Sequence, residues 1–307
     1  MTIERFHPIG TPGEPWTDAD KAAWLATCTV RRSYRDDVLV RLEALDAGAR
    51  GLELVPYGAL PVDPDRYPLV AARTAEPDPG RPWALVTGGV HGYETSGVHG
   101  ALAFLERDAG AWADRLNLLV APCVSPWGYE VIHRWNPDAV DPNRSFVEDS
   151  PSEEAAALMR LVGGVDGRFL VHLDLHETTD TDETEFRPAL AARDGVALEV
   201  GEIPDGFYTV GDIANPRPDF QAAVIAGVER VTHIAPPDAS GEIIGAPVVS
   251  PGVILYPFRP LGLCAGVTDA PFTTTTEVYP DSPRVTDADC VEAQLAAVRA
   301  GFEHAIA

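Results

Sequence analysis

Between residues 52 and 124 the chain carries four short apolar runs bounded by Pro, Gly and Asp: LELVPY (52–57), YPLVAAR (67–73), WALVTGGV (83–90) and LNLLVAPCV (116–124). Runs of this length read as strands, and strands covered on both faces are apolar throughout. RFLVHLDL (168–175), GVILYPF (252–258) and FTTTTEVY (272–279) add three more. Amphipathic segments lie between and after them. ETSGVHGALAFLERD sets Val98, Ala101, Leu102 and Leu105 on one face. SPSEEAAALMRLV predicts a helix with Ser150 as N-cap, Pro151 in the first helical position and Glu153 closing a capping box. FQAAVIAGVERV follows, and DADCVEAQLAAVRAGFEHAI aligns Val291, Leu295, Val298 and Phe302. Strands and helices in alternation specify an α/β layered fold around a parallel or mixed sheet.

Residues 1–48 read as helical after a Pro/Gly-rich start, through TDADKAAWLATC and YRDDVLVRLEALDAG. No repeat and no flexible linker divides the chain, so one domain spanning 1–307 is expected, with 1–48 packed on it. ETTDTDETEF and APPDASGEIIGAPVVSPG read as surface loops framing a site. Acidic residues outnumber basic ones by 47 to 23, a net charge of −24, which disfavours nucleic acid and anionic membrane as partners. A site for a carboxylate in such a chain needs arginines of its own. Cys28, Cys123, Cys264 and Cys290 form no C-x-x-C pair, which argues for free thiols rather than a cysteine metal site. The N-terminus lacks an apolar leader and no eighteen apolar residues run together, so a soluble, cytoplasmic protein is expected, its oligomeric state open.

Four short motifs carry chemistry. In VTGGVHGYETSG, His91 and Glu94 follow a strand and precede a helix, where an α/β sheet builds its sites. In VHLDLHETTD, strand alternation turns Phe169, Val171, Leu173 and Leu175 one way and His172, Asp174 and His176 the other. His176 then falls at the strand's carboxyl end, level with His91 and Glu94. Two histidines and a carboxylate, with a fourth position for water, is the donor set of a catalytic zinc ion. His172 and Asp174, deeper along the strand, read as a satisfied buried histidine and as an aspartate that is either structural or a partner of a metal ligand. DPNR offers Asp141, Asn143 and Arg144, suited to bidentate capture of a carboxylate, and Arg134 adds a second positive charge for a developing oxyanion. Glu277, after the threonine run, suits proton transfer from water to a leaving amine.

In this order the four motifs resemble the zinc metallocarboxypeptidase family, over about residues 34 to 304. The resemblance implies an α/β/α sandwich around a mixed, mostly eight-stranded sheet. It implies one zinc ion held by His91, Glu94 and His176, Glu277 as general base, and Arg134 polarising the scissile carbonyl. Asn143 and Arg144 would hold the substrate's terminal carboxylate, and Asp141 would orient His91. SPWGYE (125–130) stands where many members have Asn-Pro-Asp-Gly-Tyr, and Tyr256 stands near the mobile substrate-contacting tyrosine of the digestive members. PFRPLGLCAGV would shape the specificity pocket, with Leu261 and Leu263 suiting an apolar side chain and Arg259 an acidic one. The interval from His91 to His176 is shorter than in digestive carboxypeptidases. Asp-Leu-His is similar to the branch that removes acyl groups from amino acids, the aspartoacylases and succinylglutamate desuccinylases. The implied function is zinc-dependent cleavage of a peptide or amide bond beside a free carboxylate, on a peptide or an acyl amino acid. Deacylation of an N-acyl amino acid and a non-catalytic zinc- or peptide-binding role are the alternatives.

Overall fold

The computed structural model describes residues 5–307 of the chain. Among these residues ten strands form: β1 Leu52–Ala59, β2 Pro68–Thr74, β3 Trp83–Gly88, β4 Asn117–Ala121, β5 Phe169–Glu177, β6 Tyr208–Asp212, β7 Glu242–Ile243, β8 Ala246–Pro247, β9 Val253–Tyr256 and β10 Phe272–Val278. The α-helices are α1 Asp18–Leu25, α2 Val40–Ala44, α3 Thr95–Arg107, α4 Ala109–Trp112, α5 Pro126–Val131, α6 Glu153–Gly163, α7 Arg187–Asp194, α8 Pro218–Val228 and α9 Asp287–Ala305.

Eight strands join in the order β1-β2-β4-β3-β5-β10-β6-β9, and β7-β8 is a separate hairpin. The central β4, β3, β5 and β10 run parallel, while β1, β2 and β6 introduce antiparallel pairs, which makes the sheet mixed as expected. Alternation along each buried strand feeds two cores. Val86, Val120, Leu173 and Leu175 meet Phe104 of α3, Val224 of α8 and Val298 and Phe302 of α9 on one face. Leu85, Leu119 and Ala121 meet Ala155, Leu158 and Val162 of α6 on the other. Each fully buried aliphatic or aromatic side chain contributes roughly 1.5–3 kcal/mol of transfer free energy, so both layers are held by the sheet they cover.

The chain leaves β3 for β4 on one side and returns to place β5 on the other. A crevice opens at the carboxyl ends of strands at such a reversal. The loop after β3 carries His91 and Glu94, and the end of β5 carries His176.

The structure departs from the sequence reading at identifiable points. Helix α6 starts at Glu153 and is capped by Ser152, whose side chain accepts from Ala155 N–H. Ser150 instead donates to the carbonyls of Ser145 and Ser152. The sequence pattern could not separate two serines spaced by one proline. Phe169 does not share a face with Val171. Trp83 pairs with Phe169 while Ala84 pairs with Val171, so Leu170 is an extra residue and the bulge turns Phe169 to the opposite core. ETTDTDETEF is not a surface loop. β5 extends through Glu177, and residues 182–186 form a helical turn running into α7. APPDASGEIIGAPVVSPG is only partly surface loop, because its hairpin buries Ile243 and Ala246. Strand β6 went unread: YTVGD holds too few apolar residues to announce a strand that pairs on both sides.

Candidate metal centre

Glycine lets the pieces meet. A Cβ on Gly97, in the first turn of α3, would overlap the carbonyl of Leu175, and one on Gly92 would overlap the backbone of Gly128 and Tyr129. With neither present, the start of α3 rests directly on the end of β5 and on α5. Arg32, from the N-terminal segment, secures the same loop. It donates to the Gly92 carbonyl at 2.8 Å and to Thr95 Oγ1 at 2.7 Å, with its guanidinium 3.8 Å from the Tyr129 ring centre.

Glu94 occupies the N-cap position of α3 but makes no capping bond. Its two oxygens turn instead to His91 Nδ1 at 2.7 Å and His176 Nδ1 at 2.6 Å. The far nitrogens are also held. His91 Nε2 lies 2.9 Å from Asp141 Oδ1, and His176 Nε2 lies 3.0 Å from Asp174 Oδ2. A carboxylate only accepts, so each of these ring nitrogens is placed to donate; a cation among the donors would take the Nδ1 lone pairs in place of those hydrogens, while each Nε2 keeps its hydrogen on an aspartate. Two imidazole Nδ1 atoms and a carboxylate, all from residues no more than 2% exposed, face one another. Such a cluster is satisfied by a cation, and the three donors fit one. Without it, burial opposes charge on His176, but Glu94 and Asp174 override that and hold its pKa well above the ordinary imidazole value. Burial likewise opposes charge on Glu94, and His176 and His91 hold its carboxyl well below the usual range.

Beneath His176 the network continues. Thr87 on β3 donates to Asp174 Oδ1 at 2.6 Å and meets His172 Nε2 at 3.0 Å. His172 is buried, but among the described residues its Nδ1 has no hydrogen-bond partner, so the satisfied histidine of the sequence reading is satisfied on one side only.

Glu277 on β10 is in register with His176 on β5 and Tyr208 on β6. Thr178 Oγ1 donates to its Oε2 at 2.9 Å. Enclosure, offset by His176 and reinforced by the nearby charge of Glu94, pushes the Glu277 carboxyl up to about 8. A cation among the ligands would offset that neighbouring charge. Arg134 donates from Nε to Asp141 at 3.1 Å and from Nη1 to Asp182 at 3.3 Å. Its guanidinium lies 4.0 Å from Glu94 and 4.3 Å from the Phe186 ring centre. Asp182 also accepts from Tyr93 Oη at 2.7 Å.

His91, Glu94, Arg134, Asn143, Arg144, Tyr256 and Glu277 all line one cavity of about 280 Å³. Asp141 and His176 sit behind it as partners of these residues. Asn143 Oδ1 accepts from Cys264 N–H at 2.7 Å, which fixes the amide's orientation. Of the three arginines on the cavity, Arg134 pairs with Asp141 and Asp182, and Arg187 pairs with Glu183. Arg144 donates only to the Asn143 carbonyl and has no carboxylate partner among the described residues. Leu263 lines the cavity, whereas Leu261 is exposed and lies outside its lining. Arg259 is turned away to pair with Asp269 on the surface, and so does not select an acidic group here.

Sequence reasoning missed Asp182 and Glu177. Glu177 accepts from Thr95 N–H at 2.9 Å and Ser96 N–H at 2.6 Å, serving the N-terminus of α3, and its own N–H donates to Glu94 Oε2 at 3.1 Å. Burial pushes the Glu177 carboxyl up to about 7. Its signal was present, as an acidic residue directly after a ligand histidine. Asp182 had none, since it is one of five acidic residues in ten (177–186).

No protein-family model matches the chain, and no curated protein sequence matches it. Solved structures do match. A protein of Shewanella denitrificans, provisionally named a metallopeptidase, is 21% identical, with 88% of this chain and 90% of that one covered and a TM-score of 0.65. A metallo-carboxypeptidase from Burkholderia cenocepacia is 15% identical, covering 94% and 70%, with a TM-score of 0.56. Carboxypeptidase A from Helicoverpa armigera is 13% identical, covering 93% and 79%, with a TM-score of 0.58. The fold of this chain is that of the carboxypeptidase A-like metallopeptidases.

Proposed function

We propose that this chain is a zinc-dependent hydrolase that cleaves a peptide or amide bond beside a free carboxylate. The observation that carries the reading is the orientation of the donors. Both Nδ1 atoms face Glu94 because Asp141 and Asp174 hold both Nε2 atoms, and the cavity in front holds Glu277 and an arginine without a carboxylate partner. A zinc ion held by His91, Glu94 and His176 would supply Lewis-acid polarisation and lower the pKa of water at the site. Glu277 is the residue placed to take a proton from the attacking water and return it to the leaving nitrogen. Arg134, held rigid by Asp141, Asp182 and Phe186, faces the oxygen on which charge develops. Arg144, beside the fixed amide of Asn143, receives the substrate carboxylate, and Tyr256 borders the same space.

The cavity volume favours short substrates, since about 280 Å³ is at the small end of ligand sites. Deacylation of an N-acyl amino acid is therefore the second reading, with the same metal and base.

Metal analysis of the purified protein, followed by chelator-sensitive hydrolysis of a panel of peptides and N-acyl amino acids, tests both. Glu277→Gln is expected to lower kcat by about 10²–10⁴-fold while bound zinc is unchanged. Retained turnover in that variant would remove Glu277 as the base, and a zinc-replete protein that releases nothing from the panel would remove the hydrolase reading.

A further inference from the structure

Glu277 is flanked on both sides. On β10 it stands in register with His176 of β5 and with Tyr208 of β6, and side chains in register on neighbouring strands share a face of the sheet. Just past β5, the Thr178 backbone N–H continues the pairing by donating to the Val278 carbonyl at 2.9 Å. Two residues on from His176, the Thr178 side chain falls on the same face. Thr178, Tyr208 and Glu277 all line the cavity.

A threonine hydroxyl has one hydrogen to give and two lone pairs to accept with. Thr178 gives its hydrogen to Glu277 Oε2 at 2.9 Å, so in its 2.7 Å contact with Tyr208 Oη the phenol donates. Burial, reinforced by the charge of Glu277, holds the Tyr208 phenol well above its ordinary pKa, so it keeps that hydrogen. The result is a directed chain from Tyr208 through Thr178 to Glu277, in which each bond polarises the next. Glu277 Oε1 accepts no hydrogen bond among the described residues. One oxygen is tied and the other is free to take a proton. Packing does not call for the hydroxyl, because valine at 178 would fill the same volume and keep the backbone bond to Val278. Nor does this region force every hydroxyl to find a partner: Thr209 Oγ1, next to Tyr208, is buried without one among the described residues.

We infer that Thr178, backed by Tyr208, is a positioning residue for Glu277: the two hydroxyls fix its carboxylate so that the second oxygen meets the attacking water. This inference rests on the hydrolase reading of the site.

The test compares the zinc-loaded parent with Thr178→Val, Thr178→Ser and Tyr208→Phe. The readouts are bound zinc, kcat and KM on the peptide or N-acyl amino acid that the parent cleaves fastest, and the infrared carboxylate band of Glu277, isolated by subtracting the spectrum of Glu277→Gln. Thr178→Val is expected to lower kcat about 10–100-fold with KM and bound zinc unchanged. Thr178→Ser is expected to restore most of the rate, and Tyr208→Phe to lower kcat by less than Thr178→Val does. An unchanged kcat in Thr178→Val overturns the inference. So does a loss that serine does not restore, or one carried by KM or by zinc, since the side chain would then serve packing or the ligands. An unchanged rate and band in Tyr208→Phe overturn the part given to Tyr208. If the parent cleaves nothing on the panel, the hydrolase reading falls separately. The infrared arm still decides: a band shifted in Thr178→Val and not in Thr178→Ser supports the hold on Glu277, and an unmoved band overturns it.

Discussion

Asp141 and Asp174 act alike on two histidines, but the sequence marked them unequally. Asp141 came with the DPNR motif, whereas Asp174 was left open between a structural aspartate and a partner of a metal ligand, because alternation puts it on the His176 face without saying that the two side chains meet. Their 3.0 Å contact depends on how the imidazole is turned, which Glu94 sets from another element. A different buried acid, Glu154 on α6, has no part in the site. It is 2% exposed, its Oε1 has no hydrogen-bond partner among the described residues, and burial raises its pKa above the ordinary glutamate value. A raised folded-state pKa means the native state binds this proton more tightly than the unfolded chain does. Its contribution to stability is therefore complete below the unfolded value of about 4.3 and declines as pH rises toward the folded one. Glu154→Gln is expected to be more stable than the parent by about 1 kcal/mol at pH 8, with the gain shrinking toward pH 4. Urea denaturation at the two pH values checks this, and a gain independent of pH would show that the carboxyl does not titrate in this window.

At the scale of elements, α3 and β5 are joined by a reciprocal exchange. The first N–H groups of α3 need acceptors. Glu94, at the N-cap, would ordinarily supply one, but its carboxylate is committed to the histidines. Glu177 serves the helix instead and donates its own N–H to Glu94, so each glutamate steadies the other. Gln294 of α9 closes the assembly by donating to the His176 carbonyl at 2.8 Å and accepting from Thr276 on β10. Replacing Glu177 with Ala leaves two helix N–H groups without their acceptor and loosens Glu94. Zinc affinity is expected to fall about 10–100-fold, read by competition with a chromophoric chelator, and unchanged affinity would make Glu177 a helix cap and nothing more. A Ser or Thr cap lies in sequence beside its own helix, as Thr17 and Thr286 do. A cap supplied from another strand has no sequence spacing to betray it.

Across the whole molecule, the metal ligands come from the β3–α3 loop and the end of β5, and they bring two imidazoles and a carboxylate together in a buried place. A cation that binds only the folded arrangement stabilises it by mass action. Stripping the metal is expected to lower the melting temperature by about 3–6 °C relative to protein with zinc at a hundred times its dissociation constant. Thermal scans against free zinc concentration check this, and a melting temperature indifferent to zinc would mean that no cation closes the cluster. Among the described residues no helix is long and apolar enough to cross a membrane. The sequence by itself determined the layered α/β fold and the order of the four motifs. Apolar periodicity encodes burial locally, and a ligand at a strand end is marked by its position after an apolar run. Only the tertiary structure decided that Arg144 lacks a carboxylate partner while Arg134, Arg187 and Arg259 have one, that Glu177 and Asp182 are buried parts of the site, and that Thr178 and Tyr208 meet beside Glu277. Each of these depends on side chains from strands and loops that are distant in the chain and meet only when the sheet closes, so no local pattern records them.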